Sequence, residues 1–166
     1  MMLYILRHAT AEEATAGGDD GARQLTERSK AKMIGAAEGM RAMGLEFGAI
    51  LTSPLVRAAQ TAEIVASEYD NHPTPQVMPA LATGIAPAAA LAALRAYSKH
   101  EEVLIVGHEP QLSAIASIVL SGSPDAVRIR LKTAGCIAID LPPRFERGGG
   151  ELRWMLTHRQ LRNMRE

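Results

Sequence analysis

The chain reads as an α/β protein built on a largely parallel sheet, and three observations lead there. Two apolar runs, residues 3–6 (LYIL) and 103–106 (VLIV), carry no polar alternation, which is the pattern of strands buried on both faces. Strand-type runs alternate with helical stretches through the first three quarters of the sequence, as βαβ layering requires. Finally, 166 residues with 47% hydrophobic and 22% charged side chains are enough for one substantial core and too few for two. A single domain over residues 1–166 is the expectation.

The first strand stops on Arg7 and His8, and the sequence then changes character. Successive strand residues face opposite ways, so both side chains reach one cleft only if the strand ends at about Arg7 and leaves His8 on the turn. Residues 9–24 are polar, include Glu12, Glu13, Asp19, Asp20 and Arg23, and show no period; they read as a long loop bordering the cleft. Thr26 is the N-cap of a helix reaching Met43, with Gly44 as its left-handed terminator and Met33, Ile34, Ala37 and Met40 facing inward. Residues 49–53 (AILTS) form a second strand, and Pro54 opens a helix to about Tyr69 that carries Arg57 in or next to its first turn. Prolines around Gln76, Val77 and Met78 mark a short edge strand, and Pro87 begins an alanine-rich helix to about Tyr97.

Residues 102–107 (EVLIVG) are the clearest central strand, and they repeat the pattern of the first. The strand stops on His108, and Pro110 starts a helix to Leu120 with Gly122 beyond it. The runs 135–141 and 151–157 alternate and read as a strand pair, with Ile137, Ile139 and Leu141 on one face and Leu152, Trp154 and Leu156 on another. The tail from His158 reads as a solvated, helix-like end.

Composition excludes several functions. The 18 basic and 18 acidic residues cancel, so no global field gathers nucleic acid or an anionic membrane, and the basic tail lacks interleaved aromatics. The single Cys136 excludes an internal disulfide and sits in an apolar run, where it serves as a small buried hydrophobe in a reducing compartment. No apolar stretch nears the ~20 residues of a membrane span, and the N-terminal run is too short for a secretory signal. A cytoplasmic protein, monomeric by default, is the expectation.

Parallel strands point their carboxyl ends one way, so the ends at Arg7, Ser53 and Gly107 bring Arg7, His8, Arg57 and His108 to one edge, where open α/β sheets bind ligands. Taken from the strand ends, the cluster is expected to lack an internal counter-charge, and a bound anion would offset the cost of burying it. Arginine forks match phosphate oxygens, and Arg57 near a helix start adds backbone N–H donors, so phosphate is the natural candidate. The spacing of His8, His72, His100, His108 and His158 matches no metal motif, and the arginines repel a cation, so no metal is expected. Ser53 and Ser113 lack a nucleophile elbow and read as structural hydroxyls. Asp19 and Asp20 are either solvated loop residues or part of the cleft rim.

Three segments, LRHA at 6–9, SPLVRAAQTAE at 53–63 and VLIVGHEP at 103–110, resemble the ordered signature of the histidine phosphatase superfamily. Length and spacing, with DDGARQLTERS before the first helix, resemble its small SixA-type phosphohistidine phosphatases most. The resemblance implies a phosphoglycerate-mutase-like three-layer α/β/α sandwich. It implies His8 as nucleophile, with Arg7, Arg57 and His108 holding the phosphoryl group and Arg23 assisting. Larger relatives carry an acidic residue in the segment that reads ALATGIAPAAA here, and no carboxylate lies between Pro79 and Arg95. Asp20 is the one substitute that the resemblance offers as an acid.

The expected function is a phosphohistidine phosphatase without metal or cofactor, acting through a phosphohistidine on His8, with a phosphohistidine-bearing signalling or phosphorelay protein as partner. The alternatives are a small-molecule phosphomonoester phosphatase of the same superfamily and a non-catalytic phosphoryl-binding module.

Overall fold

The described residues form six strands: β1 (Met2–Arg7), β2 (Ala49–Thr52), β3 (Gln76–Val77), β4 (Glu102–Gly107), β5 (Cys136–Asp140) and β6 (Glu151–Leu156). In the computed structural model, which describes residues 1–144 and 147–165, they make one sheet in the order β3-β2-β4-β1-β5-β6. β1, β2, β3 and β4 pair in parallel, while β5 runs antiparallel to both β1 and β6. The sheet is therefore mostly parallel, as expected.

Among the described residues, five α-helices cover it: α1 (Glu27–Ala42), α2 (Val56–Ser67), α3 (Pro87–Leu94), α4 (Gln111–Ser121) and α5 (His158–Asn163). Alternation along β1 divides the core in two. Tyr4 and Leu6 pack with Met33, Met40, Ala58, Ala62 and Leu161 of α1, α2 and α5 on one face, whereas Leu3 and Ile5 pack with Leu94, Leu112 and Ile115 of α3 and α4 on the other. The result is the three-layer α/β/α sandwich. Leu3, Ile5 and Leu6 are fully buried, and each such side chain contributes about 1.5–3 kcal/mol relative to exposure. No helix among the described residues is long and apolar enough to cross a membrane.

The N-cap is Thr26, whose side chain accepts from the Ser29 amide, and Gly44 (φ 77°) ends α1 in the left-handed region. Four expectations shift. Ile34 is 40% exposed because the buried stripe of α1 runs through Ser29, Met33, Ala36, Ala37 and Met40, and Ile34 falls beside it. α2 begins at Val56, since Leu55 is still extended (ψ 137°). A bulge between Ala138 and Ile139 breaks the alternation of the last hairpin, so Leu152 pairs with Ile139 on the α3/α4 face while Trp154 opposes Ala138 on the other. The tail is more than solvated helix. Leu161 of α5 is fully buried against α1, and a Cβ on Gly39 would stand 1.8 Å from the Leu161 carbonyl oxygen, so only glycine permits that approach.

Candidate active site

The topology opens the sheet between β1 and β4. α1 leaves the end of β1 on one face and α4 leaves the end of β4 on the other, so a crevice forms between these neighbouring strand ends. Arg7 pairs with Gly107 in the ladder, and the next residues on each strand are His8 and His108. The His8 amide still donates to the Gly107 carbonyl at 3.1 Å, which fixes their relative height. The two imidazole centroids lie 5.0 Å apart, with the planes inclined by 52°. β2 delivers Ser53 at the same edge, and Arg57, the second residue of α2, is 4% exposed.

His8 Nδ1 lies 2.7 Å from the Ala9 carbonyl oxygen. A carbonyl can only accept, so Nδ1 carries the proton and Nε2 keeps its lone pair. Burial, followed by the charges of Arg57, Arg7 and Arg23, outweighs that hydrogen bond and brings the His8 pKa down to about 4. The ring is neutral at pH 7. His108 Nε2 lies 2.7 Å from Ser53 Oγ, which already accepts the Leu55 amide at 3.3 Å. The Ser53 hydroxyl proton is thus available to Nε2, and we assign the imidazole proton to Nδ1. Burial first, then His8 and Arg57, lowers the His108 pKa to about 3.

The three arginines are held through part of their forks. Arg7 Nη1 donates to the Leu131 carbonyl at 2.9 Å, and Arg23 Nη1 donates to the Glu12 carbonyl at 3.1 Å. Arg57 Nη1 donates to the Asp20 carbonyl at 2.8 Å, and its Nη2 meets the Asp20 carboxylate at 3.1 Å. Among the described residues, the buried nitrogens without a partner include Arg7 Nε, Arg23 Nε, Arg57 Nε and His108 Nδ1. Buried donors left unmatched are costly, and four around one crevice form a candidate oxyanion site.

One expectation fails here. The cluster does have an internal counter-charge: Asp20, on a short 3-10 turn (Asp20–Ala22), bridges Arg57 at 3.1 Å and Arg23 at 2.9 Å. Those two guanidiniums, Arg57 above all, hold its carboxyl below the usual range, so Asp20 is a carboxylate at neutral pH. Asp19 does not reach the arginines; it caps the same turn by accepting from the Gly21 amide at 2.8 Å. A second carboxylate, Glu109, directly follows His108, yet it turns onto Ser113, accepting from its amide at 3.1 Å and from its hydroxyl, and so satisfies a first-turn amide of α4.

The structure also explains residues that the sequence left without a role. Thr61 Oγ1 accepts the Ala9 amide at 3.1 Å and donates to the Arg57 carbonyl at 2.7 Å, while Gln60 Oε1 accepts the Leu25 amide at 2.8 Å. The Gln-Thr pair of the 53–63 segment therefore clamps both ends of the 9–24 loop to α2. Ser53 is structural, as expected, and the structure it serves is His108. His72 and His100 precede β3 and β4 and lie at the opposite edge of the sheet. Among the described residues, no group of three or more His, Cys, Asp or Glu side chains could hold a metal ion.

The SixA protein histidine phosphatase solved with tungstate superposes with a TM-score of 0.85 at 23% identity, covering 97% of this chain and 99% of that one. The alpha-ribazole phosphatase of Shigella flexneri gives 0.75 at 17% identity, covering 95% and 97%. A protein of Picosynechococcus of unassigned function is 36% identical over 145 residues, 84% of the length of each. Residues 3–82, which carry Arg7, His8, Arg23 and Arg57, match the family model of the histidine phosphatase superfamily (branch 1). The chain belongs to that superfamily.

Proposed function

We propose that the chain is a metal-independent phosphohistidine phosphatase that works through a covalent phosphohistidine on His8. The observation that carries this reading is the charge state of the crevice. A neutral imidazole with a free Nε2 stands among three guanidiniums, and the carboxylate nearest them, Asp20, is ion-paired to two.

His8 Nε2 attacks phosphorus in line, the bond from phosphorus to the substrate nitrogen breaks, and that nitrogen takes the electron pair. Arg7, Arg57, Arg23 and His108 Nδ1 stabilise the charge on the equatorial oxygens. Water then attacks phosphorus, the bond to Nε2 breaks, and orthophosphate leaves. The Ala9 carbonyl holds the Nδ1 proton throughout, so His8 returns as neutral imidazole.

Substrate class follows from the missing acid. An alkyl phosphate expels an alkoxide-like oxygen, and a positioned acid typically contributes ~10²–10⁴-fold to such a step. The second ring nitrogen of phosphohistidine titrates near neutrality, so its protonated form releases neutral imidazole without a donated proton. Transfer from one imidazole to another suits a site with no carboxylate between Pro79 and Arg95.

A substrate panel tests the proposal. Under identical conditions, phosphohistidine proteins are expected to give the highest kcat/KM, aryl phosphates to serve as weak surrogates and alkyl phosphates to be nearly inert. An alkyl phosphate turned over as efficiently as every phosphohistidine protein would favour the phosphomonoester alternative.

A further inference from the structure

Residues 127–132 read Val-Arg-Ile-Arg-Leu-Lys and lie outside any strand or helix. Ile129 packs on the α3/α4 core and Leu131 is 3% exposed, whereas Arg128, Arg130 and Lys132 are all exposed. This period of two sets the three cations on one outward row, roughly 6–7 Å apart if the segment is extended.

The row leads into the crevice. Its far end is tied to α4, where the Val127 amide donates to Ser117 Oγ at 3.0 Å and Ser113 Oγ donates to the Ile129 carbonyl at 3.3 Å. Its near end is tied to the site, through the Arg7 bond to the Leu131 carbonyl at 2.9 Å and the Ala134 amide, which donates to the Arg7 carbonyl at 3.0 Å. Past Lys132 the cationic surface continues onto the helices. His158 of α5 is held below its ordinary range by burial and then by the charges of Lys32 of α1, Arg162 and Lys132, so all three act on it within electrostatic reach. Among the described residues, Arg128, Arg130, Lys132, Lys32 and Arg162 form no ion pair.

In a chain whose charges cancel overall, this local excess of one sign at the mouth of a phosphoryl crevice calls for a partner of opposite sign. Nucleic acid is a poor fit, because no aromatic side chain occurs between residues 124 and 135 to stack a base. We propose, on the phosphohistidine reading given above, that the Arg128–Arg130–Lys132 row docks an acidic protein surface, so that the preferred substrate is a phosphohistidine flanked by aspartates and glutamates.

Two synthetic peptides phosphorylated on histidine provide the test, one with glutamates and one with lysines around the phosphohistidine, alongside phosphoramidate as a small substrate without flanks. The wild-type chain is expected to favour the glutamate peptide by about tenfold in kcat/KM at low salt, mainly through KM, and to lose the preference at high salt. The R128S/R130S/K132S variant should abolish the preference while turning over phosphoramidate within about twofold of wild type, which also reports that it is folded. Equal use of both peptides by the wild-type chain, or a preference that survives in the variant, overturns docking and leaves the phosphatase reading intact. Turnover of neither peptide overturns both. Competition by a nucleic-acid oligomer stronger than that by an acidic peptide of equal charge would reassign the row and overturn the protein partner.

Discussion

His8 and His108 sit one residue beyond two strands that pair along six registers, whereas Asp20 and Arg23 reach the same crevice from the 9–24 loop, outside every regular element but one 3-10 turn. The two groups are placed by different forces. The histidines are positioned by the sheet: moving either one means breaking ladder bonds between fully buried strands. The loop pair is positioned by charge and by its two clamps, Ala9 to Thr61 and Leu25 to Gln60, with an exposed Asp20 carboxylate between Arg57 and Arg23. Asp20 faces solvent while Arg57 is buried, so salt screens these pairs in part, and we expect the sheet-borne half of the site to be the more rigid and the loop-borne half the more adjustable. On the proposed mechanism this division keeps the nucleophile and oxyanion donors fixed while a phosphoryl group of varying attachment enters.

The largest effect is expected at the rigid half. His8→Ala removes the proposed attacking atom and should lower turnover of phosphohistidine by at least ~10³-fold, and rapid quenching of the wild-type chain should trap acid-labile, alkali-stable phosphate on His8. Near-normal turnover by the variant, or label on another residue, would remove His8 as the nucleophile. The same imidazole sets the acid limb of the pH profile. A pKa of about 4 keeps Nε2 unprotonated well below the ordinary histidine range, so activity should hold from pH 7 to pH 5 and fall only as the pH passes through about 4. The sign for stability is the reverse of a carboxylate–arginine pair in origin and the same in direction. Both histidines are more basic in the unfolded chain, so stability is complete above about pH 6.5 and is lost as the pH falls toward 4 and 3.

Arg57 links the two halves, since it belongs to α2 yet holds Asp20. Its loss should lower kcat/KM by about 10- to 150-fold, the range expected for one charge-assisted contact of ~1.5–3 kcal/mol to a phosphoryl oxygen. Arg23→Ala should cost less, because Arg23 stands on the adjustable loop. If the two variants lose equally, the distinction between a rigid and an adjustable half is wrong.

This division also separates what the sequence made legible from what it hid. The strand ends were readable because an unalternating apolar run implies a buried central strand, and parallel strands share an edge; Arg7, His8, Ser53, Arg57 and His108 followed. The role of Asp20 was not, since it depends on a tertiary ion pair 37 residues apart in sequence, and no local period encodes that. The role of Glu109 is equally hidden although it adjoins His108; the one available signal is a carboxylate placed just before a helix start, where unpaired amides gather. The bulge at Ala138 and Ile139 was hidden for a similar reason: both registers of the last hairpin show the same alternation until one residue is skipped.

The smallest effect, and the one that best resolves the loop's role, is expected for Asp20→Asn. In the structure the carboxylate already occupies two of the guanidiniums that a phosphoryl group would approach, and those guanidiniums keep it ionised. Removing its charge should free them, so inhibition by tungstate or inorganic phosphate should tighten by about 2- to 5-fold, the scale of a surface ion pair. Turnover of phosphohistidine should stay within about threefold, because neutral imidazole leaves without a donated proton. Alkyl phosphates separate the remaining possibilities. If an incoming dianion displaces the arginines from Asp20 and so lets its carboxyl protonate and donate to an alkoxide, the variant would lose alkyl phosphate hydrolysis by a larger factor than phosphohistidine hydrolysis. Equal loss on both substrates would show that Asp20 only positions Arg57, and a large loss on phosphohistidine alone would mean that the leaving imidazole is protonated by the loop after all.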